Sequence, residues 1–241
     1  MSPFKYSGDV RVYFAQFEVG TATVAIGIKR EVADLETTAL GDPAERIIPG
    51  IRMDKLDPPW SGYFHDGTSF DAYQAANVGS GTKVHSIFIG TTTGDIAYAA
   101  QMQLSSAVIN TPNKGVVMAD GSIRPDQAWD RGRVLTIRTT ATGSSVSGSV
   151  DNGALTTGSG YFILHVFSIG AGTTSTIALQ DSADGANFAD LTIQVISTAT
   201  AYRISAGSGA DGSIRQYTRL RWDATGTKSI AAHVVRGTAG L

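Results

Sequence analysis

The sequence predicts a mainly β fold with one short helix. Apolar and polar residues alternate through most of the chain, as in strands that bury one face. Glycine is abundant, at 28 of 241 residues, and turn-forming pairs such as Asp-Gly separate the alternating stretches. Charged residues make up 17% of the chain, below the usual quarter, so large parts of the surface are uncharged.

The strands of the first half are predicted from runs of apolar residues that keep one parity. Such runs occupy residues 10–14, 22–30 and 96–104. The third run suits a long strand with one buried face. Leu135 and Ile137 continue the pattern after a turn-rich gap.

One segment breaks the alternation and predicts a short helix at residues 69–77. Thr68 or Ser69 can cap it, and Asp71 lies in the first turn, where the helix dipole favours a carboxylate. Gly79 is placed to end the helix. We expect the helix to cover one face of a sheet.

The second half is again β-rich and follows a Gly/Ser/Thr segment at 139–148 that has the composition of a linker. Strands are predicted at residues 161–169, 175–180, 191–196, 201–204, 217–222 and 230–235. The run 161–169 is apolar on both parities, as in a central strand covered on both sides. This pattern predicts a second β-sandwich-like domain at 143–241, after a first β domain at 1–142.

The residues of metal and nucleophile chemistry are absent or isolated. The chain has no cysteine, which excludes disulfides, thiolate metal ligands and cysteine nucleophiles. His65, His85, His165 and His233 lack metal-ligand spacing, so we expect them to be packed or to face a lumen. The segment 181–187 lacks the EF-hand order and predicts a hairpin turn, with Asp184-Gly185 at its special backbone angles.

Carboxylates and tryptophans give no catalytic pattern either. Glu31, Asp34 and Glu36 cluster in sequence, and we interpret them as part of a solvated or interface loop rather than a glycosidase pair. The three tryptophans, at 60, 129 and 222, are spread over both halves, which favours core packing over a sugar platform. We therefore expect no enzyme activity, no cofactor and no metal.

Three segments of the first half follow one another in a recognisable order. They are DLETTALGD at 34–42, ERIIPGI at 45–51 and WSGYF at 60–64. This order resembles the major tail (tail tube) proteins of long-tailed bacteriophages, in which a D-x-T-x-x-G-D segment precedes an I-P-G-(L/I) step and a G-(Y/F)-F strand. The predicted helix falls where that family has its helix. Residues 150–154 and 176–191 are similar to segments found in C-terminal parts of many such proteins.

The resemblance implies a tail-tube-type β-sandwich or barrel whose copies form stacked rings, with DNA passing through the tube during ejection. It implies that residues 31–51 are a long loop against a neighbouring subunit or ring, and that residues 96–104 are a candidate for an inter-subunit or lumen-lining strand. The candidate interface residues are Glu31, Asp34, Glu36, Asp42, Arg46, Pro49 and Gly50.

The partners expected from the resemblance are other copies of the chain in hexameric or pseudo-hexameric trimeric rings, and the tape-measure, tail terminator and tail tip proteins. The net charge of −2 favours transient passage of DNA without specific binding. We expect no membrane span or secretory signal, synthesis in the bacterial host cytoplasm and a final location in the virion tail.

Two alternatives stay open. The second half either decorates the outside of the tube as an Ig-like domain or forms tube wall. The whole chain is alternatively a virion decoration or adhesion module that binds host surface glycans through its tryptophans.

Overall fold

A computed structural model describes residues 9–20, 23–25, 28–32, 35–36, 47–48, 52–56, 60–63, 69–110, 117–125, 129–156, 160–206, 213–223 and 225–236. The fold is mainly β with one short helix, as predicted. No helix among these residues is long and apolar enough to cross a membrane.

The chain forms two compact units. The first consists of Met1–Thr21, Lys83–Ala99 and Asp130–Leu241, and the second of Ala22–Thr82 and Ala100–Trp129. In chain order the elements are β1 (Val10–Phe14), β2 (Phe17–Glu18), β3 (Thr23–Ala25), β4 (Ile28–Val32), β5 (Leu35–Glu36), β6 (Ile47–Ile48), β7 (Arg52–Leu56), β8 (Trp60–Tyr63), α1 (Ser69–Asn77), β9 (Lys83–Ile89), β10 (Ile96–Asn110), β11 (Met118–Pro125), β12 (Asp130–Ala141), β13 (Ser145–Val146), β14 (Val150–Asp151), β15 (Gly160–Ile169), β16 (Ser175–Ser182), β17 (Ala189–Ile196), β18 (Ala201–Ala206), β19 (Tyr217–Trp222) and β20 (Lys228–Val235).

Two sheets of the first unit face each other as a β-sandwich. One has the order β18-β15-β20-β12, and the other has the order β13-β19-β16-β17, with β14 also paired to β19. The apolar side chains between them form the sandwich core: Leu135, Ala141, Val150, Phe162, Leu164, Val166, Ile177, Leu179, Ile196, Ala206, Ile214, Leu220, Trp222, Ile230, Ala232 and Val234. None of these side chains titrates.

The other face of β15 and β20 is covered by the N-terminal strands. The sheet continues from β12 through residues 96–99 of β10 to β9 and β1, and then curls back over its own face. We call this curled sheet the roll. Its apolar side chains form the roll core: Tyr13, Val84, Phe88, Ala97, Ala99, Val134, Ile163 and Ala231. Strand β20 is therefore buried along its whole length.

The six strands predicted in the second half are all present, with small differences at their ends. The double-sided burial predicted for residues 161–169 is confirmed, because β15 lies between β18 and β20 and contributes to both cores. The Asp184-Gly185 turn is also confirmed, since Gly185 has a φ of 73°.

The expected linker at 139–148 is wrong. Residues 139–141 are the end of β12 and pair with β20, and β13 pairs with β19. The amide of Leu220 donates to the hydroxyl of Ser147, and the amide of Ser147 donates to the Leu220 carbonyl. Side-chain hydroxyls thus substitute for ladder partners in a sequence whose composition resembles a linker. The division at residue 142 stays a prediction, while the compact units follow the bounds given above.

The second unit contains a four-stranded antiparallel sheet with the order β10-β11-β8-β3, in which β10 contributes residues 100–110. It also contains two short antiparallel pairs, β4 with β7 and β5 with β6. We call these two pairs the two-stranded ribbon. Helix α1 has the predicted bounds. Gly79, with a φ of 71°, follows it, as expected for a helix end.

We predict that Gly132→Ala destabilises the protein by about 1–3 kcal/mol, because a methyl group there would overlap the carbonyl oxygen of Val234. Gly143→Ala is the matched control, since nothing lies within 4 Å of its added methyl group. Chemical denaturation of the two variants measures the difference. Equal stability of both would contradict the close packing of β12 on β20.

Candidate functional site

Two of the candidate interface residues lie in paired strands. Glu31 lies in β4, paired with Met53, and Glu36 lies in β5, paired with Ile47. These two positions are therefore strand rather than loop, and their role at an interface stays a prediction. The other candidate interface residues, Asp34, Asp42, Arg46, Pro49 and Gly50, lie outside the described residues.

Strands β10 and β11 present a polar face that is poor in charge. The exposed side chains of Gln103, Ser105, Ser106 and Ser122 lie on these two strands. The hydroxyl of Ser105 donates to the Ser122 carbonyl at 2.9 Å. Amides and hydroxyls offer hydrogen bonds without the long-range attraction for phosphate that lysine and arginine provide.

The same two strands contain acidic and basic residues as well. Asp120, whose side chain is half-buried, is paired with Val108 across the hairpin. Arg124 is paired through its backbone with Gln103. The formal charges of Asp120 and Arg124 cancel, so β10 and β11 together carry no net charge from residue 100 onward.

The far end of β10 exposes two adjacent apolar side chains. Val108 is 52% exposed and Ile109 is 49% exposed. They lie beyond residues 96–104, the strand that the sequence predicts, because β10 continues to Asn110. The sequence signal for them is weak, since two adjacent apolar residues have no parity and precede a segment rich in Asn and Pro.

A second exposed apolar surface lies on the outer face of the β13-β19-β16-β17 sheet. Cross-strand register places Val146, Arg221, Ala178 and Ile193 in one row. Val146 and Ile193 are both about half exposed. Arg221 forms an ion pair with Asp190 at 2.6 Å, so its charge is neutralised within the chain.

One pair of side chains has the composition of a nucleophile and its base. The hydroxyl of Ser86 lies 2.7 Å from Nε2 of His165, and Nδ1 of His165 lies 2.6 Å from the carbonyl oxygen of Ala15. That carbonyl only accepts, so Nδ1 carries the proton and Nε2 accepts from Ser86. Both side chains are fully buried, which denies a substrate access to them. The pair therefore holds the β1–β2 turn in place.

The acidic turn at 181–187 satisfies its own carboxylate. Asp184 accepts hydrogen bonds from the Ser182 hydroxyl, the amides of Ala186 and Asn187, and the Asn187 side chain. These bonds hold the pKa of Asp184 well below its usual range, the Asn187 amide bond most of all. Among the described residues, no group of three His, Asp or Glu side chains is arranged to hold a metal ion.

The described tryptophan side chains are packed in the interior. Trp129 is 1% exposed and Trp222 is 6% exposed, so core packing is confirmed for both. The side chain of Trp60 lies outside the described residues. An exposed aromatic platform, which the adhesion alternative requires, is not formed by Trp129 and Trp222.

The three histidines within the described residues are also packed. His85, His165 and His233 are each fully buried. His65 lies outside the described residues.

One buried lysine is held by a carboxylate at the end of the sandwich. The Nζ of Lys228, which is fully buried, donates to the carbonyl oxygen of Asp223 at 2.7 Å and to its carboxylate at 3.3 Å. Burial raises the pKa of Asp223, but bonds from Ser175, Thr176, Thr225 and Lys228 outweigh it and lower the pKa to about 2.

Comparisons with known proteins do not identify a family for this chain. No family model matches the chain, and no curated protein matches it. A solved structure with some similarity is the SPP1 Dit (gp 19.1) protein, described as a paradigm of the hub adsorption apparatus in phages that infect Gram-positive bacteria. The two chains are 11% identical over 95% of this chain and 99% of that chain, with a TM-score of 0.32. A likeness this weak defines neither the fold nor the role of this chain.

We predict that Asp223→Ala lowers the free energy of unfolding by about 2–4 kcal/mol, because it leaves the Lys228 ammonium buried without its carboxylate. The double variant with Lys228→Met removes the stranded charge, so it should be more stable than Asp223→Ala alone. Urea denaturation at neutral pH measures all three proteins. An Asp223→Ala protein as stable as the parent would contradict this role of the pair.

Proposed function

We propose that this chain is a structural protein of a bacteriophage tail, whose copies assemble into stacked rings that form the tail tube. The order of segments at 34–42, 45–51 and 60–64, with the hairpin at 176–191, supports the family. The observation that carries the role is the four-stranded sheet of the second unit. It combines a charge-poor polar face with an exposed apolar strand end.

The apolar strand end supports assembly. Exposed apolar residues on a strand are an aggregation hazard unless a partner covers them. Val108 and Ile109 are such residues, and they lie near the end of β10. In the proposal, a neighbouring copy covers them when the ring closes.

The polar face supports the passage of DNA. DNA must pass through the tube without being held. The lining should therefore not neutralise many phosphates, because each such contact adds to the affinity for DNA. Gln103, Ser105, Ser106 and Ser122 supply uncharged hydrogen-bonding groups, and the paired positions of Arg124 and Asp120 add formal charges that cancel. We infer that this face of β10 and β11 lines the lumen.

The proposed role is structural, with no catalytic step. The one nucleophile-like pair, Ser86 with His165, is buried and serves the β1–β2 turn. The proposed partners are other copies of the chain in trimeric or hexameric rings, the tape-measure, terminator and tip proteins, and DNA in transit. The proposed location is the virion tail.

We predict that Val108→Asp with Ile109→Asp prevents the formation of rings and tubes, since a carboxylate pair cannot be buried in an apolar contact. Leu155→Asp is the matched control, because Leu155 is 55% exposed and lies in the first unit. Negative-stain electron microscopy of concentrated protein, or of protein with its initiating tail complex, gives the readout. Circular dichroism confirms that each variant is folded.

The assembly proposal fails if folded Val108→Asp/Ile109→Asp protein forms tubes as the parent does. It also fails if the parent forms no ring or tube with the initiating complex. Hollow rings with a bore of about 20 Å or more would support passage of a DNA duplex, whose major groove alone is about 12 Å wide.

We predict that Ser106→Lys with Ser122→Lys makes assembled tubes bind duplex DNA in a salt-dependent manner, because each lysine neutralises phosphate and releases counterions. The control is Ser205→Lys, at an exposed position on β18 in the first unit. DNA retention by purified tubes is measured over a range of salt concentrations. Equal retention by both variants would contradict the assignment of this face to the lumen.

A further inference from the structure

We propose that the roll is an acid-sensitive latch: protonation of its buried histidines releases β1, β2 and β9 from β15 and β20, while the sandwich stays closed. This inference concerns the first unit alone, and it does not depend on the tube assignment. It is carried by the positions of His165 and His233 in the roll and by the apolar composition of the sandwich core.

His165 joins the two halves of the latch through hydrogen bonds. It lies on β15, donates to the Ala15 carbonyl in the β1–β2 turn and accepts from Ser86 on β9. Its ring also lies 5.5 Å from the ring of Tyr13 on β1. Protonation of Nε2 turns this acceptor into a donor, so the Ser86 hydroxyl must rotate to accept from it, and a charge appears in the core.

The second histidine of the roll, His233, has no hydrogen bond within the described part of the chain. It lies on β20 and is fully buried, and neither ring nitrogen has a hydrogen-bond partner among the described residues. The ring of Phe88, on β9, packs edge-on against it with centroids 5.3 Å apart. A protonated His233 would place an uncompensated charge against the strand that the latch must hold.

Within the part of the chain that the structure describes, the charged side chains of the roll nearest these histidines are already paired. Glu18 on β2 is bonded to Arg138 on β12 at 2.9 Å and lies 4.0 Å from Arg11 on β1. The Arg138 guanidinium also lies over the ring of Phe167, on β15. Two guanidinium groups therefore already neutralise Glu18.

The charged groups at the other end of the roll also have partners. Asp130 on β12 accepts from the hydroxyl of Tyr161, and the Arg203 guanidinium of β18 lies over the same tyrosine ring. Tyr161 is four residues from His165 along β15. Tyr13 is neutral across the acid range, since burial raises its pKa to about 12.

A third histidine lies on the opposite side of β9 from Ser86. His85 is fully buried, with Nδ1 3.0 Å from the Lys83 carbonyl. It faces away from β15 and β20 and packs on Phe14, so it lies outside the roll core. The titrating histidines of the latch are therefore His165 on β15 and His233 on β20.

The direction of the pH effect follows from the pKa values. Burial lowers the pKa of His165 to about 4, against the opposing bond to Ala15. Burial also lowers the pKa of His233. An opened roll binds protons at the ordinary histidine pKa, near 6.5. The closed roll is thus fully favoured above pH 6.5 and loses stability as the pH falls towards 4.

The sandwich lacks this sensitivity. Its interior contains no histidine among the described residues. The buried carboxylate of Asp181, on the inward face of β16, accepts from the Arg215 amide and lies 4.0 Å from the Arg215 guanidinium. The nearby Asp223, with a pKa of about 2, stays ionised and bound to Lys228 through the same pH window. Strand β20 contains both environments in adjacent residues, because Ala231 faces the roll core and Ala232 faces the sandwich core. This adjacency gives a matched pair of probes.

The test uses thiol labelling of the full chain, which has no native cysteine. Ala231→Cys and Ala232→Cys are labelled separately with 4,4′-dithiodipyridine, which reacts with thiols in acid, and each rate is divided by that of a short cysteine peptide at the same pH. Between pH 7 and about pH 4.5 the normalised rate should rise at least ~30-fold for Ala231→Cys and less than ~3-fold for Ala232→Cys. Equal rises at both positions, or no rise at either, would overturn the proposal.

A second pair and a histidine variant keep the result interpretable. If either cysteine variant fails to fold at pH 7, Ala97→Cys in the roll core and Ala206→Cys in the sandwich core replace them. His233→Leu in the Ala231→Cys protein removes one titrating group and strands no partner. Its acid-induced rise should be several-fold smaller, and an unchanged rise would exclude His233 from the latch.

Discussion

Strand β20 and residues 162–166 of β15 have no face towards solvent, and the arrangement of the first unit follows from this constraint. A strand that is apolar on both parities must be covered twice, because one packed sheet buries only alternate side chains. The β13-β19-β16-β17 sheet covers one face, and the curled N-terminal strands cover the other. Each strand thereby separates two interiors of different chemistry, one mainly apolar and one containing imidazoles.

Most of the fold was predictable because its signal is local. Parity fixed the strands of the second half, and helix α1 has the expected bounds. The segment at 139–148 was misinterpreted as a linker, because its composition is that of a flexible chain while its hydroxyls and β-branched residues complete two sheets. No local pattern reports that residues 10–14 return to cover strands more than a hundred residues later.

The site was less predictable than the fold. The acidic cluster at Glu31 and Glu36 indicated a loop, whereas the backbone there is paired with residues of β7 and β6, which single-sequence patterns do not reveal. Val108 and Ile109 escaped notice because two neighbouring apolar residues give no periodicity. The burial of His165 and His233 was expected, but their convergence on one interior depends on long-range pairing between β9, β15 and β20.

Burial of both faces also removes a constraint that fixes the register of most strands. A strand with one buried face resists slipping by one residue, because the slip turns its apolar set towards water. For β20 the same slip would exchange two interiors and expose nothing. Gly132 and Gly160 fix the register instead, since both lie against carbonyl oxygens of β20 where no side chain fits. A slip would place Arg133 or Tyr161 against those carbonyl oxygens. Apolar burial alone would leave the two strand alignments nearly equal in stability, so the two glycines select one of them.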